Sequence, residues 1–247
     1  MPSDDRYSLQ SAFPPMGPGS LKKLQEARVL IVGVGGLGSW SSEFLARAGV
    51  GFLRLVDPDF VAEHNLPRSN FLPSQVNIAK VFAAHSSLID ITTTIQKQQA
   101  IRDRFRPDNA MALADGCHLI MDGTDRIEPR LLINQLSLES GIPWVRGAVA
   151  GADGVAMLHL PHRGACLQCL FKPAVEGLQD RHPKGVVSPL LAAVAALQTS
   201  LAIRYLVGTE EDRQKIAGKQ FRLNLWDMFA WSDDVERNPD CPICGHQ

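Results

Sequence analysis

The chain has 247 residues, 45% of them hydrophobic and 21% charged, and 25 Lys and Arg against 26 Asp and Glu give a formal net charge of −1. That balance supplies no global field for nucleic acid or an anionic membrane, and the length suffices to bury one large α/β core. The N-terminus lacks the basic-then-apolar pattern of a secretory leader, and no uninterrupted apolar run approaches the ~20 residues that span a bilayer, so a cytoplasmic protein is expected.

The first twenty residues, rich in Pro, Gly and Ser, predict an irregular arm. Arg28–Gly33 is a short apolar run of the kind found in central parallel strands. A glycine turn follows, then helical spacing of Trp40, Phe44, Leu45 and Ala48, then a second strand over Phe52–Asp57. Further along, the pattern predicts a helix over Val76–Leu88 and strands over Thr92–Gln96 and Cys117–Met121. A helix over Ile127–Gly141 is stopped by Gly141 and Pro143. Strands follow over Pro143–Val149 and Gly154–Leu160, a helix over Gly185–Val207, whose Ala-rich run reads as buried, and a half-exposed strand over Gln220–Trp226. The polar segment Lys172–Lys184 reads as a mobile loop. The alternation of strand and helix predicts a Rossmann-like, mostly parallel sheet flanked by helices, with an antiparallel C-terminal region. One domain over 21–247 is expected, its nucleotide-binding half at about 28–150 and its cysteine-bearing half at about 151–247.

Gly33, Gly35 and Gly38 form G-x-G-x-x-G between a strand and a helix. Glycine there allows a tight turn and lets backbone N–H groups approach phosphate at the positive helix end. Asp57 ends the next strand about 20 residues on, where an acid binds ribose hydroxyls. The motif alone does not choose among NAD, FAD and ATP. The following segment carries Asp59, Asn65, Arg68 and Lys80, and the strand Cys117–Met121 runs into Asp122 and Asp125. Two cations suit a triphosphate, and a strand-end carboxylate suits Mg²⁺. His64, beside Asn65, reads as a surface residue, and Cys117 as a small buried hydrophobe.

Four of the five cysteines form two C-x-x-C pairs, Cys166 with Cys169 and Cys241 with Cys244. Together they supply the four thiolates of a closed, structural Zn²⁺ site that clips the C-terminal segment to the middle of the chain.

Taken in order, VLIVGVGGLGS, LVDPDFV, NLPR, DGTD, GIPWV and the terminal NPDCPIC resemble the ThiF/MoeB/HesA family of ubiquitin-activating-enzyme-like adenylyltransferases, from Arg6 onward. The resemblance implies that Gly36 joins the glycine turn against ATP, that Asn65, Arg68 and Lys80 contact it, and that Asp125 organises Mg²⁺ and is essential for adenylylation. Arg130 and Asn134 match helix positions behind that acid. It further implies a homodimer and a protein substrate, a small ubiquitin-like sulfur carrier ending in Gly-Gly whose carboxylate attacks the α-phosphate.

The chain departs from the family at several positions. Leu9 stands where an arginine usually reaches the partner subunit, Ser69 replaces Gln, and Asn77 replaces Gly. Arg126 replaces Asn beside the metal acid, which places a further cation at the ATP site. Arg181 stands where sulfur-transferring members carry a cysteine, so no thioester or persulfide step is expected on this chain. Other readings are adenylylation of a different carboxylate (a peptide, a cofactor precursor or a modified tRNA base), an inactive nucleotide-binding scaffold, and a nicotinamide dehydrogenase. ATP with Mg²⁺ is expected to bind much more tightly than NAD in calorimetry; tight NAD binding with no ATP binding would remove the adenylylation reading.

Overall fold

The computed structural model describes residues 4–91, 97–170 and 185–245. Its strands are β1 (Arg28–Val32), β2 (Phe52–Val56), β3 (Lys97–Ile101), β4 (Leu119–Asp122), β5 (Trp144–Ala150), β6 (Asp153–His159), β7 (Lys219–Asn224) and β8 (Phe229–Asp234). The helices are α1 (Ser8–Ser11), α2 (Ser20–Glu26), α3 (Gly36–Arg47), α4 (Lys80–Ile91), α5 (Ala110–Ala114), α6 (Ile127–Ser140), α7 (Leu167–Leu170), α8 (Pro189–Val207) and α9 (Glu210–Ile216).

All eight strands make one sheet in the order β3-β2-β1-β4-β5-β6-β7-β8. The first five run parallel, and from β5 onward each neighbour is antiparallel. Strand β1 explains why such a sheet must be covered twice. Val29 and Ile31 enter one core with Leu45 of α3 and Ala202 of α8, whereas Leu30 and Val32 enter another with Leu113 of α5 and Ile133 of α6. A strand apolar on both faces has no solvent side, which is the signature of a buried parallel strand.

The order of the first five strands reverses direction between β1 and β4. Open α/β sheets bind ligands outside the carboxyl ends of their strands at such a point. The turns leaving β1 and β4 are in backbone contact there: a Cβ on Gly33, whose φ is +83°, would meet the Gly123 carbonyl at 2.8 Å. A Cβ on Gly38 would overlap the Gly33 carbonyl oxygen, so α3 can begin this close to the sheet only without a side chain at that position.

Beneath the β4 turn lies a buried ion pair. Asp122, fully buried, accepts 2.6 Å from Arg130 Nε of α6, and its other oxygen accepts from the backbone N–H and hydroxyl of Thr124. Arg130 also donates to the carbonyls of Thr124 and Gly147, tying α6 and β5 to the turn. Asp122 is thus a structural anchor and is turned away from metal binding, leaving Asp125 as the carboxylate of that turn without an ion pair among the described residues.

Several predicted bounds shift. The third strand is Lys97–Ile101; Thr92–Gln96 lies outside the described residues, as does the loop predicted over Lys172–Lys184. The helix predicted over Val76–Leu88 begins at Lys80 and runs to Ile91. The arm predicted as irregular contains helical turns over Asp4–Tyr7, Ser8–Ser11 and Pro14–Met16, and it docks through Tyr7, which is 3% exposed against Gly49. Helix α8, 19 residues with a mean hydropathy of 1.7, does have the length and apolarity to cross a bilayer. Here it packs on α3, β5 and β6, with Gln198 donating to the carbonyls of Asp122 and Val145.

Arg130→Met should leave Asp122 buried without its countercharge. Breaking one side of a buried pair costs about 3–5 kcal/mol, and urea unfolding should show a lower midpoint with unchanged slope. A midpoint within error of wild type would show that the pair does not anchor the turn.

Candidate functional site

A cleft of about 1160 Å³ opens at the carboxyl ends of β1, β2, β4 and β5. Small-ligand pockets run to ~1000 Å³, so the cleft is of a size to take a nucleotide. Of the predicted nucleotide residues, Gly33, Gly35, Gly36, Asp57, Asp59 and Asn65 line it, and so do Arg68, Lys80, Asp125 and Arg126. Gly38 does not; its role is the close backbone approach described above. His64 is exposed and outside the cleft, and Cys117 is buried, as expected.

Each lining side chain is held by a local device. Asp57 accepts Val34 N–H at 2.7 Å on one oxygen and Asp59 N–H at 2.8 Å on the other. A carboxylate has about four acceptor positions, so two remain for ligand hydroxyls. Burial raises the Asp57 pKa above its ordinary value, and Lys80 and those two N–H groups oppose the rise. Lys80 Nζ lies 3.0 Å from Asp59 and 3.8 Å from Asp57, which holds the ammonium at the end of β2. Asn65 accepts from Ala62 N–H through its side chain and from Ser69 through its carbonyl, closing the short loop that presents Arg68. The Arg68 carbonyl would stand 3.1 Å from a Cβ on Gly36, so the loop rests on the glycine turn.

Asp125 is exposed at the cleft, just past the turn fixed by Thr124. Its neighbour Arg126 pairs with Glu128 at 3.5 Å, so the guanidinium is engaged along α6, and Asp125 has no ion pair among the described residues. An unpaired carboxylate facing cations across a cleft suits a hydrated Mg²⁺ better than an ion-paired one.

The sequence reading missed Arg104 and Arg106, which line the cleft after β3, and Arg146 of β5. Placing the third strand at 92–96 put its end five residues short of the cluster RDRFRP, which hid the first two. Asp103 and Asp108 already neutralise Arg106 at 2.7 and 3.1 Å. Arg146 sits inside an otherwise apolar strand; burial, followed by repulsion from Arg130, lowers its pKa to about 10, so it stays charged at neutral pH.

On the far side of β6, the four predicted metal cysteines converge. Their sulfurs all lie within 4.8 Å of one another, with Cys166 to Cys169 at 3.9 Å, Cys166 to Cys241 at 3.7 Å and Cys169 to Cys244 at 3.5 Å. Tetrahedral Zn²⁺ with bonds of ~2.3 Å requires sulfur separations of ~3.8 Å. The thiols are free rather than disulfide-linked, and this donor set fits one tetrahedral metal. Asn134 accepts from Leu167 N–H at 2.9 Å and so steadies the first knuckle from α6. His159, neutral because burial lowers its pKa to about 3, stacks on Trp144 at 4.4 Å and donates from Nδ1 to the Ala165 carbonyl.

The reversed sheet, its glycine turn and the cations around it define a protein of the nucleotide-binding, Rossmann-like class. The ThiF family model matches residues 7–243, and the chain belongs to that family. It is 34% identical over 208 residues to the sulfur carrier protein ThiS adenylyltransferase of Bacillus subtilis, covering 83% of this chain and 62% of that one. It is 32% identical over 251 residues to the sulfur carrier protein adenylyltransferase of Thermus thermophilus, covering 98% and 91%. Among solved structures, E. coli MccB with ATP superposes with a TM-score of 0.79 at 20% identity, over 92% of this chain and 69% of that one.

A chelator strong enough to strip zinc should lower the thermal midpoint, and Cys169→Ser should do so without chelator, because metal binding energy at such a site is folding energy. Elemental analysis of freshly purified protein should give about one metal per chain; none at all would remove the assignment.

Proposed function

We propose that the protein is an ATP-dependent adenylyltransferase that activates the C-terminal carboxylate of a small ubiquitin-like sulfur carrier ending in Gly-Gly. One observation carries this reading: Arg68, Lys80 and Asp125, the last without an ion pair among the described residues, line one cleft together with the glycine turn. Names of relatives over nearly the full length of the chain support the same activity and carrier class.

The chemistry needs positioning more than a protein nucleophile. The glycine turn and the start of α3 offer N–H groups to phosphate, and Asp57 holds the ribose hydroxyls. A carrier carboxylate oxygen forms a bond to the α-phosphorus, the bond from that phosphorus to the pyrophosphate oxygen breaks, and an acyl-adenylate and pyrophosphate result. The carboxylate is already ionised, so no protein base is required. Arg68 and Lys80 offset charge that accumulates on the phosphates in a preorganised setting. Asp125 would hold Mg²⁺, which supplies further charge neutralisation when bound. The four cysteines would hold Zn²⁺ away from the reaction, in a structural role. The protein works as a cytoplasmic homodimer, with no nucleic acid or membrane partner.

Asp125→Ala should abolish ATP–pyrophosphate exchange while leaving the unfolding curve intact. Arg68→Ala and Lys80→Ala should each slow exchange about a hundredfold, the ~3 kcal/mol typical of one preorganised charge donor. Near wild-type exchange by Asp125→Ala would mean that the catalytic centre lies elsewhere.

A further inference from the structure

Arg146 of β5, on the wall of the cleft, is repelled by two other guanidinium groups, Arg130 of α6 and Arg222 of β7, and attracted by Asp122. Those two have a carboxylate of their own. Arg130 is paired to Asp122 at 2.6 Å and Arg222 to Asp233 at 2.7 Å. Arg146 is 9% exposed and lines the cleft, yet its Nε is buried without a hydrogen-bond partner, and it has no ion pair among the described residues. A buried, unpaired cation is costly, and Arg presents a planar fork suited to two oxygens.

Its position separates it from the proposed triphosphate groups. Lys80 stands at the end of β2, and Arg68 rests on the glycine turn after β1. Strand β5 lies two places beyond β1, a displacement of ~10 Å at the usual strand spacing. Alternation along β5 puts Ala148 and Ala150 on the same face as Arg146, and both line the cleft. Small side chains there leave an apolar track beside Arg146, suited to an extended glycine-rich tail.

We propose that Arg146 is a specificity-determining residue that receives a carboxylate of the substrate's C-terminal tail, on the cleft wall opposite the triphosphate. The inference rests on the adenylyltransferase reading above. The terminal carboxylate is the group that attacks the α-phosphorus, so the carboxylate on Arg146 is that of an acidic side chain close to the terminus.

The test uses the full-length, metal-loaded protein with a non-hydrolysable ATP analogue. Three synthetic peptides serve as probes: one ending in Gly-Gly with a free carboxylate, its C-terminal amide, and a free acid with Glu three residues from the end. Calorimetry should show that wild type prefers a peptide carrying the recognised carboxylate. Arg146→Gln should lose that preference by about 10- to 100-fold, the range for a hydrogen bond to a charged group. Arg146→Lys, which keeps the charge and loses the fork, should fall between. Loss confined to the Glu peptide supports the inference, and loss of the acid-over-amide preference with no loss for the Glu peptide would overturn it. ATP-analogue affinity should not change, and the thermal midpoint of Arg146→Gln should stay level or rise, because an unpaired buried charge is removed.

Unchanged peptide preference in both variants would overturn the inference and leave the adenylyltransferase reading standing. Equal loss of ATP-analogue affinity would overturn it by assigning Arg146 to the triphosphate. If wild type binds none of the peptides, both the inference and the reading beneath it fall.

Discussion

The backbone contact between the turns that leave β1 and β4 is the constraint on which the site depends. Gly33, Gly38 and Gly123 occupy one another's side-chain space. That lets α3 start directly against the sheet and brings the Asp125 turn next to the glycine turn. Any Cβ at these positions would push the two turns apart, and the distance between phosphate and metal carboxylate would be set by a side chain. Nothing else in the cleft could restore it, because Asp57, Arg68 and Asp125 are each referenced to one of those turns.

Around this contact, charge is sorted into two kinds. One kind is consumed by the fold: Asp122 and Arg130 neutralise each other, and Asp103 and Asp108 neutralise Arg106. The other kind is left in the cleft, with Arg68 and Arg146 unpaired among the described residues and Lys80 held only by acids at its rim. Sequence position does not distinguish the two. Asp122 and Asp125 belong to one short motif and have opposite fates, because one ends a strand beneath a helix and the other begins the loop above it.

The parallel half of the sheet was legible because β1 and β4 carry short apolar runs bounded by turns, and β2 interrupts its own only with Arg54. Strand β3, with Lys97, Gln98 and Gln99, has no such pattern; pairing with β2 rather than propensity makes it a strand. Strand β8 escaped for the opposite reason, since every residue in it is exposed and no alternation marks a buried face. Helix α9 did leave a signal that went unread, the Thr209-x-x-Asp212 capping box at its start. In the site, residues joined by motif were found and those joined only by topology were not. Arg146 is the clearest instance, an arginine in a strand whose meaning depends on which neighbours are already paired.

The cysteine knuckles have a consequence for the life of the chain before it is folded. The two pairs stand 75 residues apart, with α8, α9, β7 and β8 between them. The βαβ unit of β1, α3 and β2 is built from local contacts and can form early, whereas closure of the knuckle must wait for a long loop to be made. Chains grow from the N-terminus, so Cys166 and Cys169 leave the ribosome well before Cys241 and Cys244. During that interval the nucleotide turn can exist, but a four-thiolate metal site cannot. Metal capture would therefore report that the antiparallel half has been synthesised and docked, making the ion a mark of completed assembly.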